Sequence, residues 1–174
     1  MSGIETPRHY TYSWYIRPLL FLLRRKGGDL SDSVRLWGRT PMAFIGFLFT
    51  MGALERRASK LDPELRALIR TRVSQIDLCE FCIGLNGNKA LERGVTQAKL
   101  LDLSEFINSQ LYNESEKIAL SFTETITSTG YVVNTEMMKK LKHHFSDDAV
   151  VELAALVAHQ NFSTKFNRAL GVSE

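Results

Sequence analysis

Both cysteines of the chain fall in one short run, Asp77-Leu78-Cys79-Glu80-Phe81-Cys82. Residues three apart on a helix share a face at a Cα separation that a disulfide accepts, so Cys79 and Cys82 can open and close a bond with little backbone movement. Asp77, followed three residues later by Glu80, reads as a capping box that starts a helix at Leu78 and puts Cys79 in its first turn. There the helix dipole and the free N–H groups favour thiolate over thiol, while the neighbouring Glu80 carboxylate pulls toward protonated sulfur. The chemistry expected of such a pair is thiol–disulfide exchange or reduction of an oxidant. Two plainer readings stand beside it. Buried cysteines are often inert hydrophobes. A zinc site would need two more ligands from His9, His143, His144, His159 or the carboxylates, none at finger-like spacing, so neither a metal nor a cofactor is expected.

The elements that must position these sulfurs read as helices joined by short capped turns. A first helix or pair of turns is expected over Tyr12 to Lys26, broken near Pro18 and stopped by Gly27 and Gly28. Pro41 to Lys60 follows as a long helix with Thr40 as cap and Pro41 in its first turn. Asp62-Pro63-Glu64 repeats that start, and Leu65, Leu68, Ile69, Val73 and Ile76 recur at helical spacing. The cysteine helix then runs to about Arg93, with Gly94 just past its end. A short piece from Thr96 to about Leu101, then Ser115 to Ser128, Asn134 to His144 and Asp148 to Phe162 complete the series. Val150 to Ala158 is apolar nearly all round, so that helix is expected to be central. No run alternates convincingly as a strand; Tyr131-Val132-Val133 is too brief. The fold class is all-α, a single domain of about seven to nine helices over residues 1–174.

Composition narrows the function classes. At 174 residues with 44% hydrophobic and 24% charged residues, the chain can bury a core without disulfide or metal staples. A net charge of +3, locally concentrated only at Arg24, Arg25 and Lys26, is too small a footprint for nucleic acid. The apolar stretch from Leu19 to Leu23 is too short and too late for a signal peptide. Thr40 to Leu54 falls short of the roughly 20 apolar residues that a membrane span requires and reads as a buried helix. The compartment expected is therefore the cytoplasm, where a CxxC pair is catalytic or metal-binding more often than structural.

Three ordered blocks give the sequence a family resemblance: LDPELRALIRTRVSQIDLCEFCIGLNGNKALERGV, SEKIALSFTETIT and FSDDAVVELAALVAHQNFSTKFNRALG. Together they resemble the carboxymuconolactone decarboxylase-like superfamily, most closely its alkylhydroperoxidase AhpD-like branch, over residues 40–172. Residues 1–39 would be a helical N-terminal extension. The resemblance implies an all-helical subunit that assembles into dimers, trimers or hexamers. It also implies a redox-active CxxC that reduces peroxides or serves a partner peroxidase and is re-reduced by a dithiol carrier. By similarity Cys82 is the thiol that the family's proton relay activates, and Cys79 is its disulfide partner.

The relay itself is altered. The AhpD pattern runs CxxCxxxH with a glutamate twelve residues before the first cysteine; here those positions hold Asn86 and Ala67. Asn86, one turn after Cys82, can hydrogen-bond a thiolate or a peroxide oxygen but cannot take a proton at neutral pH. Glu64 and His159 are the replacement bases to consider, although a first-turn acid and a hydrogen-bonded core histidine are their commoner roles. An oxidoreductase acting through Cys79 and Cys82 is therefore the first expectation. An oligomeric binding or stress-linked protein that kept the fold and lost turnover is the alternative. A lactone decarboxylase comes third, because that reaction has no use for a dithiol.

Overall fold

A computed structural model of the chain describes residue 4, residues 10–130 and residues 132–172. His9 and Tyr131 lie outside the described residues. Regular structure among the described residues is wholly helical: α1 (Arg17–Gly27), α2 (Asp32–Trp37), α3 (Pro41–Leu54), α4 (Pro63–Ile76), α5 (Glu80–Glu92), α6 (Gln97–Leu101), α7 (Glu114–Thr127), α8 (Thr135–His144) and α9 (Asp147–Ala169), with one 3-10 turn at Leu103–Glu105. Polar caps set most of the starts. Ser31, Thr96, Asn134 and Ser146 each accept a backbone N–H from the first turn they precede. Asn113 and Glu116 form a full capping box at α7.

α4 is the organising element because it is apolar on two faces. Leu65, Ile69 and Val73 pack with Ala119, Phe122, Leu141, Leu153 and Val157 of α7, α8 and α9. Ala67 and Leu68 face a second cluster with Ala90, Val95, Leu103, Phe106 and Leu120. Each fully buried leucine or isoleucine here contributes about 1.5–3 kcal/mol relative to exposure. A third cluster of Ile16, Leu20, Leu30, Trp37 and Phe44 ties α1, α2 and α3 to Phe166 near the end of α9.

Several boundaries differ from expectation for identifiable reasons. A turn over residues 14–16 precedes α1, so the break expected near Pro18 falls at the helix start; Pro18 sits in the first turn of α1, where its missing N–H costs nothing, and Gly28 closes the helix at φ 80°. α2 escapes the helical pattern because it spans under two turns. α3 ends at Leu54 rather than Lys60, and it is not a buried helix. Only Phe44 and Leu54 are buried, leaving Met42, Ile45 and Phe49 exposed on one face, Phe49 by 79%. α9 runs on to Ala169, past Phe162, because its last two turns pack on Trp37 and the α4–α5 turn.

Candidate active site

The α4–α5 turn is where the local reading changes most. Asp77 does not cap α5: its N–H closes α4 on the Val73 carbonyl at 2.9 Å, and its carboxylate accepts the Thr164 hydroxyl of α9. Arg168 also donates to the Asp77 carbonyl at 3.0 Å, fastening the turn to α9. Leu78 takes the left-handed conformation with φ 52°, uncommon and mildly strained for a residue with a Cβ. The N-cap of α5 is Cys79, and Cys82 is its third helical residue. The two cysteines are joined in a disulfide with a Cα separation of 5.2 Å. Both sulfurs therefore sit at the positive end of α5, among N–H groups that no helical carbonyl has taken.

The pair is buried, with Cys79 3% and Cys82 2% exposed, yet the two sides of the bond differ. Cys82 lines a cavity of about 630 Å³ that opens between α2, α3, α4, α5 and α9, and Cys79 does not. The cavity has an aromatic wall of Trp37, Phe44 and Phe47, with Leu48 and Met51 beside them. Trp37 and Phe47 belong to a stacked column, Phe166 on Trp37 at 3.7 Å, Trp37 on Phe47 at 5.0 Å and Phe47 on His159 at 4.4 Å.

A polar residue from α9 reaches the sulfur. Asn167 Nδ2 donates to Cys82 Sγ at 3.4 Å, and its Oδ1 accepts the Ser33 hydroxyl of α2 at 2.8 Å. A disulfide sulfur has no proton to donate, so the end of the amide that faces Cys82 is the N–H donor, and the Ser33 hydroxyl, able to donate or accept, donates to the other end. Such a donor favours thiolate. Neither residue stands out in the sequence by motif. The available signal was the polar stripe Gln160, Thr164, Asn167 at helical spacing, all buried along an apolar helix.

The residues expected to support the cysteines divide. Asn86 lines the cavity and is buried, but its Nδ2 donates to Ser74 Oγ at 2.9 Å instead of to sulfur. Ala67, the altered glutamate position, also lines the cavity. Glu80 is exposed in the first turn of α5 and does not line it. Glu64 is at the opposite end of the α4–α5 hairpin, its Oε1 3.2 Å from where a Cβ on Gly94 would stand, so the structure does not bring it to the disulfide. His159 is buried behind the aromatic wall, does not line the cavity, and touches two residues that do, Phe47 and Arg70. Its Nδ1 lies 3.4 Å from Arg70 Nη1 and its Nε2 lies 3.1 Å from the Phe47 carbonyl. A guanidinium can only donate and a carbonyl only accept, so these partners select the neutral ring protonated at Nε2. Burial pushes its pKa below the ordinary value, opposed by the Phe47 carbonyl and helped by Arg70. Among the described residues no group of three or more His, Cys, Asp or Glu side chains could hold a metal ion. No helix of these residues is long and apolar enough to cross a membrane.

Below Cys82 the floor of the cavity is cationic. Arg70, Lys89 and Arg93 line it with Glu55 between them, Arg70 Nε donating to Glu55 Oε1 at 2.9 Å and Arg93 pairing with Glu55 Oε2 at 2.7 Å. Burial alone would raise the Glu55 carboxyl, but Arg70, Arg93 and Arg66 outweigh it and hold the group below the usual carboxylate range. Lys89 is lowered by burial and by the neighbouring charges of Arg70 and Arg93.

The carboxymuconolactone decarboxylase family model matches residues 43–124. YnjA of Escherichia coli is 36% identical over 157 residues, which is 90% of this chain and 86% of YnjA. The chain belongs to the carboxymuconolactone decarboxylase family. Within the superfamily it has the AhpD-like all-α fold, as the solved structures bear out. The AhpD core of a peroxidase-related protein from Ralstonia eutropha superposes with a TM-score of 0.84 at 18% identity, covering 99% of this chain and 91% of that one. A cysteine-to-alanine variant of the debrominase Bmp8 in complex with 2,3,4-tribromopyrrole superposes with a TM-score of 0.83 at 22% identity, covering 99% and 93%. At these identities the two structures speak for the fold, and the fold serves proteins of different chemistry.

Proposed function

We propose that the protein is a thiol–disulfide oxidoreductase of the AhpD-like type that reduces small hydroperoxides in antioxidant defence. The observation that supports this best is the asymmetry of the disulfide, with Cys82 lining an aromatic-walled cavity and held by an amide donor while Cys79 does not line it. In the reduced protein the Cys82 thiolate attacks the distal oxygen of the hydroperoxide. The O–O bond breaks, the departing alkoxide takes a proton from water to leave as the alcohol, and Cys82 becomes a sulfenic acid. Cys79 then attacks that sulfur, releasing water and forming the disulfide seen here. An external dithiol supplies two electrons and two protons to restore both thiols. Because both sulfurs are nearly inaccessible from the surface, a small dithiol or a mobile dithiol arm fits this entry better than a flat protein surface.

The test is hydroperoxide consumption with dihydrolipoamide as reductant. Wild type turns over, Cys82→Ser abolishes turnover, and Cys79→Ser stops at a sulfenic acid that dimedone traps. Equal activity in the Cys82→Ser variant refutes the reading.

A second reading is favoured by Ala67 and Asn86, which put no proton acceptor at either relay position. On that reading the protein keeps an oligomeric scaffold and a binding pocket without turnover. Folded protein that consumes no peroxide and no halogenated substrate under any reductant supports it. We also propose cytoplasmic residence, and a homo-oligomer that covers the exposed Met42, Ile45 and Phe49 face of α3.

A further inference from the structure

The cationic floor of the cavity is not needed to hold the disulfide, and its charges are not balanced. Arg70 has 6% of its surface exposed, and its five N–H donors are unequally used. Nε goes to Glu55 at 2.9 Å, and Nη1 goes to Gln160 Oε1 at 2.9 Å and to His159 Nδ1 at 3.4 Å. Nη2 has no hydrogen-bond partner among the described residues. A buried guanidinium nitrogen left this way is costly, and of the groups that can accept from it an anion bonds most strongly. Lys89 faces the same cavity with no ion pair among the described residues, and of the nearby acids Glu92 lies on the exposed side of α5. The one carboxylate of Glu55 is shared with Arg93 at 2.7 Å and Arg66 at 4.0 Å. Asp29, the other lining carboxylate, is engaged by Arg35 at 2.9 Å.

The register of the hairpin places these cations relative to the sulfur. Ser74 meets Asn86, so Arg70, one turn earlier on α4, comes level with Lys89 and Ala90 on the antiparallel α5. Lys89 lies seven residues beyond Cys82, about 10 Å along the helix at 1.5 Å per residue. Trp37, Phe47 and Leu48 line the same cavity as Cys82, Arg70 and Lys89.

We propose that the cavity binds an amphipathic monoanion, its acidic head between Arg70 and Lys89 and its apolar body along the aromatic wall toward Cys82. Under the function proposed above, on which this part alone rests, the reacting group of a substrate stands about 10 Å from its carboxylate, two helical turns away.

Binding can be read on the disulfide form, with no turnover involved. In calorimetric titrations of the full chain, octanoate is expected to bind at least about tenfold more tightly than 1-octanol, as one charge-assisted hydrogen bond to a buried cation would give. Arg70→Gln should remove that preference while leaving 1-octanol binding unchanged. Lys89→Gln, at a half-buried side chain without an ion pair, should weaken octanoate about threefold or more and keeps the test open if Arg70→Gln fails to fold. Equal affinity for octanoate and 1-octanol overturns the proposal, and so does an undiminished preference in folded Lys89→Gln and Arg70→Gln proteins. Octanoate binding without peroxide turnover refutes only the peroxidase reading, and turnover that is indifferent to a carboxylate refutes only this one.

Discussion

Replacing Asn167 with leucine removes the N–H aimed at Cys82 Sγ while roughly keeping the side-chain volume. A hydrogen bond to an ionised acceptor contributes about 1.5–3 kcal/mol, and a 3.4 Å contact to sulfur belongs at the lower end. Since 1.36 kcal/mol is one pKa unit, the Cys82 thiol should titrate about one unit higher in the variant. Well below the midpoint its thiolate fraction falls about tenfold, but a more basic thiolate is also a better nucleophile, by about 2.5- to 3-fold for a Brønsted coefficient of 0.4–0.5. The net loss of rate near neutral pH is therefore only about 3- to 4-fold, while the plateau rate at high pH rises about threefold. The assay is alkylation by iodoacetamide, followed by intact mass, across pH 5 to 10 in a reduced Cys79→Ser background. Ser33→Ala, which loses only the anchor of the amide, should shift the midpoint less. A midpoint that stays within about 0.3 unit in a protein of native helicity refutes the reasoning. So does a plateau that falls instead of rising, since lost nucleophilicity cannot come from a raised pKa.

His159 is neutral in the fold with its pKa below the ordinary 6.5, so the unfolded chain takes up its proton first as pH falls. Its contribution to stability is complete above 6.5 and is lost on acidification below it; the drop in urea midpoint between pH 7.5 and 5.5 should be smaller in His159→Gln, and an equal drop refutes this. The apolar face of α3 should be covered by a second copy, so light scattering should give a mass that is a multiple of 19.8 kDa, reduced to one subunit by Phe49→Glu. A wild-type mass of 19.8 kDa in dilute solution rules out that assembly.

Much of the helical order is legible in the sequence, because caps and the 3.6-residue period are local signals. Leu65, Ile69 and Val73 mark α4 by spacing alone, and Thr96 and Asn134 mark the starts of α6 and α8, whereas α7 and α9 start at their caps Asn113 and Ser146, two residues before the expected Ser115 and Asp148. The failures are equally physical. Asp77 with Glu80 has the spacing of a capping box, but Asp77 is claimed by Thr164, Arg168 and the end of α4, and tertiary partners 87 to 91 residues away leave no mark on a local pattern. α3 reads as buried because it is apolar, yet burial depends on what packs against it. Within this subunit that is chiefly α9 on one side and α2 at its start.

The site divides along the same line. That Cys79 and Cys82 can bond is legible from their spacing; that only Cys82 meets the cavity is not, since it depends on where α2 and α9 cross the first turn of α5. Asn86 is one turn from Cys82 on the same helix, so proximity in sequence nominates it, but Ser74 on α4 holds its amide. Asn167 is 85 residues away and delivers its N–H because Ser33 holds the other end of its amide. In place of a proton acceptor, this chain gives Cys82 a fixed donor and a helix N-terminus. Both lower the cost of the thiolate without removing a proton, and that arrangement suits a thiol that meets its substrate already ionised.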